Sequence, residues 1–163
     1  MAPAGASRHD GKKKTGHAEE QAREDVAEAR AGWRADQHKL DPSRLVFLDE
    51  SGVNTKMARL RGRAPKGQRL VASIPHGHWS TSTFIAGLRH DGIVAPWLLD
   101  GPMNGDAFLT YIATQLAPSL SADDIVIMDN LSTHKVKGVR ELIEARGAGL
   151  LYLPSYSPDL NPI

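Results

Sequence analysis

Apolar positions along this chain fall into two rhythms, and each predicts a kind of element. Short continuous runs rich in β-branched residues predict buried strands. One is Ile125-Val-Ile-Met128, which stops at Asp129, and another is Leu45-Val-Phe-Leu48 within residues 44–48, which stops at Asp49. After Asp49, the Ser51-Gly52 pair predicts a turn away from the strand. Residues 79–88, rich in Thr, Phe and Ile, and residues 93–99 read as strands on either side of a His90-Asp91-Gly92 turn, which predicts an antiparallel hairpin. Residues 150–153 predict one more short strand.

Helical spacing appears three times. Residues 17–39 are rich in Ala, Glu, Gln and Arg. They place Val26, Trp33 and Leu40 seven apart, with Ala22 and Ala29 between them, as one narrow stripe. Asp41-Pro42 ends that helix. Residues 105–116 put Phe108, Ile112 and Leu116 on one face behind Asn104 as N-cap. Residues 135–146 carry Val136, Val139, Leu142 and Ile143, with Gly147 as C-cap. Residues 1–16, with the Lys12-Lys13-Lys14 run, read as linker or disordered tail.

The order strand, hairpin, helix, strand, helix, strand predicts an α/β domain. Its mixed sheet is antiparallel early, parallel late and flanked by helices. In such sheets chemistry collects at the carboxyl ends of the strands. Asp49 and Asp129 both stand there, so they are the candidate catalytic and metal-ligating residues. Hard divalent cations take oxygen ligands, and Mg²⁺ commonly uses one or two carboxylates with substrate phosphate. Either Asp alone also fits an ordinary turn. Glu50 and Asn130 follow the two aspartates and point to the opposite face of a continuing strand. Asp100 and Asp123-Asp124 read as turn residues, and His76 and His78 more as loop than as metal ligands.

Composition narrows the class. No cysteine is present, which excludes disulfides and thiolate metal sites. No apolar run is long enough to span a bilayer. The expectation is a cytoplasmic protein with no membrane partner. Net charge is only +1, but residues 44–90 hold eight Lys/Arg against two Asp/Glu, while residues 91–163 hold four against nine. Within the basic block, Arg61, Arg63, Lys66 and Arg69 either line a phosphate track or are ordinary exposed charge. His134, just past the Asp129 strand, is either a phosphate contact or a capping and packing residue.

The end of the chain adds a third motif, Tyr152-Leu-Pro-Ser-Tyr-Ser-Pro-Asp-Leu-Asn-Pro162, in which Asn161 and Pro162 fit N-cap and N1 of a helix. Together with Leu48-Asp-Glu-Ser-Gly52 and Met128-Asp-Asn130 with His134, it resembles the catalytic domain of mariner-type DDE transposases, most nearly the bacterial insertion-sequence branch. The resemblance covers the chain from about residue 17. It implies a ribonuclease H-like fold over residues 44–163, preceded by a helix and linker over 17–43. It also implies a triad of Asp49, Asp129 and an acidic residue directly after Ile163. The implied chemistry is two-metal phosphoryl transfer on double-stranded DNA with Mg²⁺ or Mn²⁺. Asp49 bridges the ions, and dimeric assembly goes with it. The third acid and the DNA-binding helix-turn-helix of the family are not among these 163 residues. The expectation is therefore a catalytic-domain fragment, cut before the final helix and inactive or nearly so alone. The alternative is a non-enzymatic remnant that binds DNA or itself.

Overall fold

The structure is a computed structural model and describes residues 19–55, 57, 62–71, 77 and 80–163. The tail over 1–16, Arg61, His76, His78 and Trp79 lie outside the described residues. Among the described residues, five strands form one sheet in the order β3-β2-β1-β4-β5: β1 (Leu45–Asn54), β2 (Thr81–Arg89), β3 (Gly92–Asp100), β4 (Ile125–Met128) and β5 (Gly149–Tyr152). The β1–β2 and β2–β3 pairs are antiparallel, and β1–β4 and β4–β5 are parallel. The mixed sheet is as the sequence predicts.

The turn expected at Ser51-Gly52 does not form. β1 runs on through Asn54, with Ser51 opposite Phe84 and Gly52 opposite Thr83. Ser51 to Asn54 are exposed, so no apolar alternation marks this half of the strand. Its pairing with β2 holds it extended.

One face of the sheet carries the core. Val46, Leu48, Ile85, Val126, Met128 and Leu150 pack there against Phe108, Tyr111, Ile112 and Leu116. Those four lie on α2, which begins as Gly105–Tyr111, passes through a π-helical stretch at Ile112–Leu116 and ends with Ala117–Ser119. Asn104 caps it, its side chain accepting from the Ala107 N–H at 2.9 Å. Pro118, in the last turn, has no N–H to return to the helix. The second core helix, α3 (Val139–Glu144), starts later than the predicted position 135. Gly138 sits at φ 101°, a conformation that glycine tolerates and that breaks any helix arriving from Lys135. Gly147, at φ 75°, ends this region as expected.

On the other face, α1 (Glu24–Asp36) lies near the β5 edge, where Ala29, Trp33 and Leu40 share a groove with Leu151 and Leu153. Arg30, absent from the predicted stripe, is buried beside Val26. Toward β2 and β3, among the described residues, Phe84, Ile93 and Leu98 on this second face are exposed. Among the described residues no helix is long and apolar enough to cross a membrane.

Candidate active site

The parallel register sets Leu48 opposite Met128. The next residue in each segment is an aspartate, so Asp49, midway along β1, and Asp129, just past the end of β4, stand side by side. Both line an open cleft of about 450 Å³, walled by Asn130, Leu131, the 153–158 segment and Asn161. Two carboxylates this close repel. Burial first, then the charges of Glu50 and Asp129, push the Asp49 carboxyl above its usual range, against the Glu50 N–H that favours ionisation.

Each aspartate has its own support. Asp49 Oδ1 accepts from the Glu50 backbone N–H at 2.8 Å, and Oδ2 accepts from Asn161 Nδ2 at 2.8 Å. Asn161 was expected only as a cap. It has the extended backbone of a cap and accepts from the Ile163 N–H at 3.3 Å, yet its amide reaches back to the site. Asp129 Oδ1 accepts from the Leu131 N–H at 3.3 Å and lies 2.6 Å from His134 Nδ1, a short but angled ion-pair contact.

His134 is 0% exposed, so the folded chain does not offer it to a DNA phosphate. A short 3₁₀ turn, Ser132–Lys135, delivers it under the Asp129 strand end, where its ring stacks on Phe108 at 4.4 Å between centroids. Nε2 meets both oxygens of Glu50, at 3.0 and 3.1 Å. Burial opposes a charged imidazole, but contacts with Asp129 and Glu50 outweigh it and raise the pKa to about 9. Glu50 does point to the opposite face from Asp49, as the period-2 argument requires. There it meets the histidine.

The other charged residues lie apart from the pair. Arg63, Lys66 and Arg69 are exposed in the loop after β1. Asp159 is turned away from the site: Arg30 grips it through two contacts at 2.8 and 2.7 Å and also donates to Ser157 Oγ at 2.7 Å. Asp124 does sit in a turn, but it also forms a buried pair with Arg89 at 2.6 Å.

A hard cation suits the cleft in kind. Its donors are carboxylate oxygens that repel one another, and the Asn130 side-chain oxygen is buried beside them with no hydrogen-bond partner. Among the described residues no three His, Cys, Asp or Glu converge on one metal position, so the described protein supplies two carboxylates.

The family model for DDE superfamily endonucleases matches residues 44–163. The chain belongs to this family. The match spans all five strands and both aspartates of the cleft. No curated protein matches the chain. Among solved structures, the DDE endonuclease fold seen here is similar to the Mos1 strand transfer complex, with TM-score 0.68, 20% identity, and coverage of 95% of this chain and 50% of that one. It is similar to the Mos1 mariner paired end complex with Mg, with TM-score 0.70, 20% identity, and coverage of 93% and 50%. It also resembles the catalytic domain of Mos1 mariner transposase, with TM-score 0.58, 18% identity, and coverage of 91% and 68%. The chain thus spans about half the length of the longer Mos1 chains. At these identities the likeness establishes a shared fold, the ribonuclease H-like sheet with flanking helices.

Proposed function

We propose that this chain is a DNA transposase catalytic segment of the mariner type, near the bacterial insertion-sequence branch. Its chemistry is divalent-metal-dependent cleavage and strand transfer of phosphodiester bonds. The observation that carries the reading is the pair Asp49 and Asp129, side by side on neighbouring parallel strands β1 and β4, inside a domain that belongs to the DDE endonuclease family. Bound at such a pair, Mg²⁺ or Mn²⁺ supplies Lewis-acid stabilisation of phosphate charge and a more acidic water or 3′-hydroxyl. The protein's own part is orientation. Asp49 is held through Asn161, and Asp129 is held at one oxygen so that the other is left for a ligand.

Double-stranded DNA is the substrate in this reading. Solved relatives include a Mos1 transposase paired-end complex with left transposon end, which supports DNA ends as partners; assembly as a dimer is part of the same proposal. In this reading the exposed Arg63, Lys66 and Arg69 meet backbone phosphate, with Arg61 beside them in sequence.

The third acid of the triad belongs, on the family pattern, directly after Ile163. Activity of these 163 residues alone is therefore expected to be weak. A second reading, DNA binding without cleavage, draws on the two-carboxylate count and the exposed basic loop. A nicking assay on supercoiled plasmid with Mn²⁺ separates the two. Slow metal-dependent nicking that disappears in Asp129→Asn supports the enzymatic reading, and salt-sensitive binding with no nicking supports the other.

A further inference from the structure

Adjacent acids on one strand leave on opposite faces of the sheet, so Glu50 should be a stranger to a site built on Asp49. It is not, because His134 closes the gap. The imidazole is held from three directions: Phe108 stacks on its ring, Glu50 takes Nε2 with both oxygens, and Asp129 Oδ1 stands 2.6 Å from Nδ1 as an ion-pair contact outside hydrogen-bond geometry. Its backbone is fixed as well, since the N–H donates to Leu131 O and the carbonyl accepts from Tyr152 Oη at 3.1 Å. A ring held this way has one orientation, and that orientation presents Nδ1 to Asp129. Both protein contacts to Asp129 fall on Oδ1.

We propose that Glu50 and His134 form a positioning pair that fixes the Asp129 carboxylate, with Oδ1 held by the protein and Oδ2 left for a divalent cation in the cleft. β1 then serves the site twice, directly through Asp49 on one face and through Glu50 and His134 on the other. The arrangement follows a general rule: residues behind a ligating group hold it in place, and their loss typically costs 10–100-fold in metal affinity. This inference rests on the metal-binding reading of Asp49 and Asp129.

The test is Mn²⁺ affinity of the whole chain, measured by electron paramagnetic resonance of free Mn²⁺, with thermal melts as the folding control. Asp129→Asn should abolish the tightest site. Glu50→Ala touches neither aspartate side chain, yet should weaken binding about tenfold or more. Glu50→Gln keeps an oxygen for Nε2–H and should recover most of the loss. Equal Mn²⁺ affinity in a folded Glu50→Ala and the wild type overturns the pairing, as does a Gln variant no better than Ala.

A second readout needs no Glu50 variant. Saturating Mg²⁺ should move the Nδ1 nitrogen-15 resonance of His134 in the wild type and leave it in place in Asp129→Asn. An unmoved resonance in a wild type that binds the metal overturns the proposal by itself. A wild type that binds no Mn²⁺, with Asp49→Asn indistinguishable from it, removes the metal-site reading and the positioning role with it.

Discussion

Asp124 and Asp129 stand at the two ends of β4, and their surroundings divide their work. Asp124 is 3% exposed and takes a two-pronged contact from Arg89, with a further hydrogen bond from the Ser121 N–H. Asp129 is 38% exposed at the cleft. Removing one partner of a buried pair leaves the other charge uncompensated, so Asp124→Ala should cost about 3–5 kcal/mol in chemical denaturation. Asp129→Asn removes one of the two carboxylates on the buried His134 but leaves Glu50 there, so it should cost less than Asp124→Ala and act mainly on the site. The Arg89 hydrogen bonds, and then the Ser121 N–H, hold the Asp124 carboxyl below its ordinary value of 3.8, though burial opposes them. Its folded pKa is the lower one, so its contribution is full above pH 4 or so and is lost as pH falls through the depressed value. Melting temperature followed from pH 6 down to pH 2 should therefore drop less in Asp124→Ala than in the wild type. In the sequence both residues are simply aspartates beside an apolar run. The strand-end rule singled out Asp129 correctly as a cleft residue, whereas Arg89 lies 35 positions from Asp124, and no local pattern joins them. His134 and Glu50 were missed as partners for the same reason.

At the scale of elements, the segment from Leu153 to Asn161 behaves as a strap over the cleft. It is fastened by Asn130 Nδ2 to Ser155 Oγ at 3.0 Å, by Arg30 to Ser157 and Asp159, and by Asn161 to Asp49. Arg30→Met should destabilise the chain by about 1–2 kcal/mol; Asp159 is 44% exposed, and water screens part of the contact. The same change should speed amide exchange along residues 155–161, and unchanged exchange there would show that α1 does not hold the strap. Gly138→Ala should cost about 1–2 kcal/mol by denaturation, because φ 101° disfavours a Cβ, and the new methyl meets Leu109 Cδ1 at 3.2 Å. Elements whose apolar spacing is continuous, such as β4 and α2, were legible in the sequence. The late start of α3 and the outer half of β1 were not, since a backbone angle at Gly138 sets the first and cross-strand pairing the second.

Across the whole molecule, charge is separated along the chain while the fold keeps one contiguous sheet. The exposed Arg63, Lys66 and Arg69 follow the strand that carries Asp49. If this loop tracks DNA backbone, replacing all three by Ala should weaken binding about equally for any sequence. It should also flatten the dependence of log affinity on log salt by about one unit per lost contact; an unchanged slope would assign these residues to plain solvent exposure. The strand order has a different consequence. β1, β2 and β3 follow one another as a meander, so their pairings close between near neighbours. β4 must instead return to β1 after the whole meander and α2 have been made. Contacts between distant segments are the slow ones to form, because loop closure comes before any compensating contact. Asp49 is thus in place with the first half of the sheet, and Asp129 joins it only when the parallel half docks. A chain still emerging or half-folded therefore holds one of the two cleft carboxylates and not the pair.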